Sequence, residues 1–497
     1  MTRLNAAVVT GALALSCSAP AFAQTDAPGK PTWWAKYQYL AANGPDTCTG
    51  QTGVQVGANV DVSNECGPQS ETYITINPAR PASIAAGSNE IFRLAMRGYA
   101  SADGGSTWSG VDLPLPPAKG NGIDFGSDPS LAFDTSGHVF YSYIVVYFGK
   151  GNGINGTALG VARSSDGGRS YPQFTLFSEE GGSNHFNDKP MIAADTNVTS
   201  PFRDNIYVAW DAATGGSTSA GVRFARSTDH GATFTVVRVD DPRGQGRAIG
   251  AIPFVGPNGE VYVAWNDFAA NTIAFNRSLD GGVTWDGPRV VAPKRLAFDI
   301  AIPAEFSRGA LVYPACDADR SAGVNRGRLY CSWMDLNANG NTDIFAASSN
   351  DEGTTWSAAA AVTDPLAGVD RFNHWMAVDP VTGEVNVSFY DTRNDTTGAR
   401  FGTDIYFTQS RTGGAAWLSP NVRVTDVSSN EHDCSGVFPC VGIDYGNQQG
   451  DYAGLASFGG VSRPIWTDSR HQLGLLAGCR TGLAMEEVFT AVVASKR

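Results

Sequence analysis

The chain has 497 residues and a formal net charge of −13, from 48 acidic and 35 basic side chains. That balance argues against a nucleic-acid partner, which wants a basic face. Glycine (58 residues) and an aromatic content of 10% suit many strands joined by tight turns, so an all-β fold is expected.

Residues 1–23 read as a secretory signal peptide. Arg3 supplies the positive start, residues 6–15 the apolar run, and Ala21-Phe22-Ala23 a small-residue cleavage site. Cys17 leaves a lipoprotein signal open, although Ala14 stands three residues before it, where such a signal wants a leucine. No later apolar run is long enough for a membrane helix. A secreted or periplasmic chain is expected, with a net charge of about −14 once Arg3 is lost. Residues 24–50 are Pro/Gly-rich and are expected to form an irregular arm. Residues 51–497 are read as one domain. Export permits disulfides: Cys316 and Cys331 flank a hairpin loop, Cys434 and Cys440 close a short one, and Cys48 with Cys66 would tie down the arm. That leaves Cys479, and the connectivity stays open.

Residues 54–62 alternate apolar and polar side chains as a strand does. A pattern then repeats: a strand ending near Asp or Asn-Pro, a turn, and a strand ending in an aromatic. Its copies include Tyr73-Ile74-Thr75-Ile76-Asn77-Pro78, Ile206-Tyr207-Val208-Ala209-Trp210-Asp211 and Val261-Tyr262-Val263-Ala264-Trp265. After six of the copies comes an octet. Ser101-Ala102-Asp103-Gly104-Gly105-Ser106-Thr107-Trp108 and Ser278-Leu279-Asp280-Gly281-Gly282-Val283-Thr284-Trp285 are its fullest forms. Looser copies lie at 164–171, 227–234 and 349–356, and a sixth at 410–417 has Thr412 in place of the aspartate. The closing aromatics are 63, 63, 51, 71 and 61 residues apart, a fixed unit repeated. In each octet the Gly pair permits positive φ, the Asp carboxylate can accept amide hydrogen bonds of its own turn, and the aromatic returns the chain to the apolar layer.

These octets resemble the Asp box, or BNR repeat, of sialidases and other β-propellers. The resemblance implies a propeller of four-stranded blades, with the boxes as structural turns on the face away from the ligand. A seventh copy without an octet follows, at residues 452–458, 463–468 and 487–493. It has three strands, and residues 54–62 would supply its fourth, closing the ring. Seven blades are therefore expected, against six in sialidases. Six is the fallback, with the seventh copy as a cap.

In such propellers the ligand face carries the loops before each first strand and after each second strand. Applied here, the first set collects Asp128, Asn187-Asp188-Lys189, Asn373-His374 and Asp451. The second collects Asp211, Asn266-Asp267, Asp335, residues 391–395 and residues 468–471. Carboxylates for acid/base work and arginines for binding would meet there, although an Asp after a strand also simply caps a turn. The candidate catalytic set is Asp128, Asp188, His374, Asp391, Arg393, Tyr445, Asp451, Asp468 and Arg470. Tyr445 and Tyr452 enter because sialidases use a late tyrosine as nucleophile.

Asp335, Asn337, Asn339 and Asp343, with Gly340, place oxygen donors where a calcium loop has them, but Ala346 stands where a bidentate acid belongs. No cofactor is required, and structural calcium is the metal considered. The six histidines are scattered and show no zinc spacing.

The functional expectation is an exported carbohydrate-active protein resembling sialidases, a glycoside hydrolase if catalytic. The alternatives are a polysaccharide lyase and a non-catalytic glycan- or protein-binding propeller. The nearest match to the sialidases' Phe-Arg-Ile-Pro motif is Phe92-Arg93-Leu94-Ala95, without the proline. Arg393 and Arg470 could be two arginines of a substrate clamp, and no third suggests itself. The expected partner is a glycan or polysaccharide, with no nucleic acid and no membrane span, and the chain is taken to be a monomer.

Overall fold

Alternating strands that bury one face need a second layer, and in this chain each blade is covered by the next. The computed structural model describes residues 54–65, 68–90, 93–119, 124–149, 153–181, 186–213, 221–241, 248–306, 308–432, 449–470 and 486–495. Among them there is no helix, and so none long and apolar enough to cross a membrane.

Seven antiparallel sheets follow one another around an axis. The first blade runs Gln69–Ile76, Ile84–Glu90, Arg97–Ser101 and Ser109–Asp112, in spatial order from the axis outwards. The inner strands of the next five begin at Asp124, Phe186, Ala248, Pro314 and Arg371, and each leads a sheet whose strands stack in chain order. The seventh blade is shared between the two ends of the chain. Gly454–Phe458 pairs with Val461–Asp468, which pairs in turn with Glu487–Thr490 and Val493–Ser495. Val54–Val56 and Val60–Asp61 then form the outer edge, with Val54 opposite Ser495 and Val60 opposite Thr490. The ring is closed as expected, with seven blades and residues 54–61 as the missing strand.

The core lies between blades. Trp210 of the third blade packs with Ile144 and Val161 of the second, and Ile465 and Val488 of the seventh pack with Ile74 and Ile84 of the first. Trp210, Trp265, Trp333 and Trp466, all on second strands, are fully buried. Cys316 and Cys331 sit opposite each other in the fifth blade and form a disulfide. Cys48, Cys66, Cys434, Cys440 and Cys479 lie outside the described residues, as do the leader and the arm.

The octets turn the chain from third to fourth strand, and five of them share one geometry. In the fifth blade Ser349 Oγ donates to Asp351 Oδ1 and accepts the Gly353 amide at 2.9 Å, and Asp351 accepts the Thr355 amide and hydroxyl. The Thr355 bonds, then that of Ser349, hold the Asp351 carboxyl down at about 2. The octets therefore lie on one face, and the starts of the first strands and ends of the second strands on the other.

Candidate active site on the propeller axis

At the start of the inner strands the ladder slips by a residue in five blades: between Ser70 and Tyr73, Ser127 and Ser130, Asp188 and Met191, Ile249 and Ile252, and Phe372 and Trp375. A bulge re-aims the side chain it carries. The bulged residue is left-handed each time: Glu71 (φ 52°), Asp128 (63°), Lys189 (46°), Gly250 (70°) and Asn373 (42°). Gly450 (80°) holds the matching place in the seventh blade. Four side chains held in a strained region around one axis are the usual mark of a functional site. The two glycines are there for space. A Cβ on Gly250 would lie 2.4 Å from the Tyr313 ring, and one on Gly450 2.4 Å from Glu71 Cγ.

These bulges bring carboxyls together. Asn89 joins two of them, donating to Glu71 Oε2 at 2.6 Å and accepting the Asp128 amide at 2.8 Å. Glu71 is buried, and its pKa is pushed far up, first by burial and then by the charges of Asp128 and Asp451. Asp188 is raised in the same way, by burial, then Asp128, Asp211 and Asp451. Each shares a side-chain hydrogen bond with Asp128. Burial and the neighbouring carboxyl thus both favour the protonated form of these two acids. Asp211, 1% exposed, accepts the Gly250 amide at 2.6 Å and is raised by burial to about 7.

The cationic side of the cluster is Lys189 and Arg308. Arg308 forks Asp451, Nε to Oδ1 at 2.6 Å and a terminal nitrogen to Oδ2 at 2.7 Å, and the Tyr313 hydroxyl adds a third bond at 3.1 Å. Lys189 Nζ is stacked on the rings of Tyr313 and Tyr452, 3.3 and 3.9 Å from their centroids. Burial lowers its pKa to about 8 against the pull of Asp451 and Glu71. Among the described residues Lys189 Nζ, Asp211 Oδ1, Asn373 Oδ1 and His374 Nε2 are buried without a hydrogen-bond partner. Such atoms mark where a ligand's polar groups or water would be met. Behind them Trp375 packs edge-on against Tyr73 at 5.3 Å. A cavity of about 200 Å³, lined by all seven inner strands from Ile74 to Leu455, continues towards the octet face.

Of the sequence-derived candidates, Asp128, Asp188 and Asp451 are in this cluster. His374 is beside it, buried, and held neutral by burial at about 4. The others are elsewhere. Asp391 caps its own turn by accepting the Arg393 amide at 2.7 Å, and pairs with Arg393 and with the wholly buried Arg371. Asp468 does the same for Arg470, whose amide it accepts at 2.9 Å and whose guanidinium it pairs at 2.7 Å. Arg393 is further committed to Asp364, and Arg470 to Asp426. Tyr445 lies outside the described residues.

The Asn/Asp loop is the hairpin end between Leu329–Leu336 and Thr342–Ser349. Asp335 accepts the amides of Arg295 and Leu296, Asn337 Oδ1 accepts those of Asn339 and Asn341, and Asp343 pairs with Arg371. The oxygens of Asp335, Asn337 and Asp343 are thus spent on protein donors, which does not fit a calcium cage.

Glu71, Arg308 and Tyr313 were not singled out from the sequence. Ser70-Glu71-Thr72 fills the three places ahead of Tyr73-Ile74 as Ser127-Asp128-Pro129 does ahead of Ser130-Leu131, so aligning the repeats would have found Glu71. Nothing local marks Arg308, whose partner is 143 positions away.

Fold and site together define a seven-bladed β-propeller with octet turns on one face and an ionisable cluster at the axis of the other. No protein-family model matches the chain, and no curated protein matches it. Solved structures do. A leech intramolecular trans-sialidase is 14% identical over 71% of this chain and 68% of its own, with a TM-score of 0.47. A protein of unknown function from Dyadobacter fermentans is 12% identical over 89% and 99%, at 0.46. The α-L-arabinofuranosidase of Fusarium graminearum is 13% identical over 72% and 98%, at 0.44.

Proposed function

We propose that the protein is an exported carbohydrate-active enzyme, a glycoside hydrolase working at the axial cluster. The observation that carries this reading is the gathering of the Glu71 and Asp188 carboxyls around Asp128, where burial first, and then the neighbouring carboxyl, raises the pKa of both. Breaking a glycosidic bond needs a proton on the departing oxygen and negative charge near the anomeric carbon. Asp188 is less deeply buried than Glu71 and is the proton donor in this scheme. The Asp451 carboxylate, fixed by Arg308 and Tyr313, stabilises the oxocarbenium charge. Water then supplies hydroxide to the anomeric carbon and returns the proton to Asp188.

The substrate class follows from the charges. Arg393 and Arg470, the arginines available for a carboxylate clamp, are spent on Asp391, Asp364, Asp468 and Asp426. A neutral sugar suits an axis rich in carboxyls better than an acidic one.

The test is a panel of neutral and acidic aryl glycosides. Hydrolysis of a neutral member is expected, and Asp188→Asn should slow substrates with poor leaving groups far more than 4-nitrophenyl substrates, which need little protonation. Equal slowing of both would remove Asp188 from the acid role. Silence of the folded protein across the panel would leave a binding propeller.

A further inference from the structure

On the octet face, Asp134 closes the turn between the first two strands of the second blade. Its side chain is fully buried, and its Oδ1 accepts the amides of Ser136 at 2.9 Å and His138 at 2.8 Å. Its other oxygen meets two imidazoles. His138 Nδ1 is 2.7 Å away, and Nδ1 of His230, from the octet of the third blade, is 3.6 Å away. One ligand atom from each of the three residues lies within 4.8 Å of the other two.

The repeats act as an internal control. The same turn is closed by Asn77, Asp195, Asp319 and Asp379, each accepting an amide two residues on. The fourth octet position, which is left-handed in every copy, is glycine in four: Gly104, Gly167, Gly281 and Gly413. It carries a side chain only as His230 (φ 56°) and Glu352 (φ 54°). A left-handed L-residue costs roughly 1 kcal/mol, so each side chain there offsets a strain that glycine would avoid. Glu352 reaches Arg277 of the neighbouring blade at 3.1 Å. His230 reaches Asp134 of its neighbour, where His138 already waits. Among the described residues this is the one place where two imidazoles converge on a carboxylate.

We propose that Asp134, His138 and His230 bind a divalent transition metal, zinc by donor set, and so staple the second blade to the third. Two imidazole nitrogens and a carboxylate oxygen suit zinc, with water in the fourth place. The amides on Asp134 Oδ1 already orient the carboxylate. Binding moves the proton that His138 Nδ1 shares with Asp134 to Nε2 of the same ring, by way of solvent, so the imidazole stays neutral. One neighbour opposes it. Arg163 lies 3.1 Å from His138 Nε2, and that nitrogen must carry a proton once Nδ1 binds metal. The guanidinium then turns to Gln173, which it already contacts at 3.1 Å.

The test is zinc titration by calorimetry on the untagged full chain after chelator treatment, with cobalt absorbance as the report on geometry. One equivalent should bind, raise the thermal midpoint, and give the intense visible bands of low-coordinate cobalt. His230→Gly restores the glycine found at this position in four other octets and so keeps the fold. It should weaken binding roughly tenfold or more. Arg163→Gln should tighten it. Absence of saturable binding, or binding unchanged in His230→Gly, overturns the proposal.

Discussion

The Lys189 ammonium lies 3.3 Å from the centroid of the Tyr313 ring and makes no hydrogen bond, although only 2% of the residue is exposed. Aromatic faces replace its water only in part, so its pKa falls to about 8. An unfolded lysine titrates near ~10.4. Between those values the unfolded chain binds the extra proton, and stability rises with pH. Lys189→Met keeps the stem and removes the charge. Denaturant midpoints should show wild type gaining on this variant from pH 8 to 10, by about 1 kcal/mol or more per pH unit. Parallel curves would mean that the ammonium is better solvated than its surroundings indicate.

Glu71 has the opposite sign. Its folded pKa is raised, first by burial, so the folded chain keeps a proton that the unfolded chain releases above about pH 4. The stability carried by that proton is full below the unfolded value and is lost as pH rises towards the folded one. Glu71→Gln stays neutral and can still accept from Asn89. It should be more stable than wild type at pH 7, with a gap that widens with pH and closes near pH 4. Urea titrations at those pH values decide it. A constant gap would mean that Glu71 is ionised in the fold.

Repetition made the fold legible. Six octets, a seventh copy without one and an orphan alternating segment at 54–62 could be counted, and the ring closes as the count requires. The site was legible only where repeats place like residues. Asp128, Asp188 and Asp451 fall at or next to the left-handed position of their blades and meet at the axis. Asp391 and Asp468, equally acidic and in the other loop set, turn back onto their own Arg393 and Arg470 amides. The difference is the bulge, which re-aims the first set, and a one-residue slip in pairing leaves no mark on composition. His138 and His230 stand 92 positions apart, and only the stacking of two blades makes them neighbours.

Arg371 is fully buried between Asp343 and Asp391, at 3.0 and 2.8 Å. Removing the cation strands two buried carboxylates. Arg371→Met should therefore cost about 3–5 kcal/mol of stability by denaturant unfolding. Asp391→Asn should also lower stability while leaving kcat per folded molecule unchanged, since Asp391 belongs to this network and not to the axial cluster. A loss of kcat in fully folded Asp391→Asn would bring that residue back into the chemistry.

The sixth octet shows what the missing aspartate costs. In the first octet Asp103 accepts the amides of Ser106 and Thr107 through Oδ1 and the Thr107 hydroxyl through Oδ2. In the sixth, Thr412 Oγ1 accepts the Ala416 amide at 2.8 Å, and Ala416 has no hydroxyl to give. The serine arm is intact, since Ser410 Oγ still accepts the Gly414 amide at 2.9 Å. The turn is therefore preformed and lacks one amide bond and one hydroxyl bond. Thr412→Asp should add the amide bond, worth about 0.5–1.5 kcal/mol, and raise the thermal midpoint. Ala416→Thr alone should change little, because its hydroxyl finds no carboxylate. Together they should exceed the sum of the single changes, and that coupling, read from a double-mutant cycle, is the measure of the Asp–Thr pair that the other octets share.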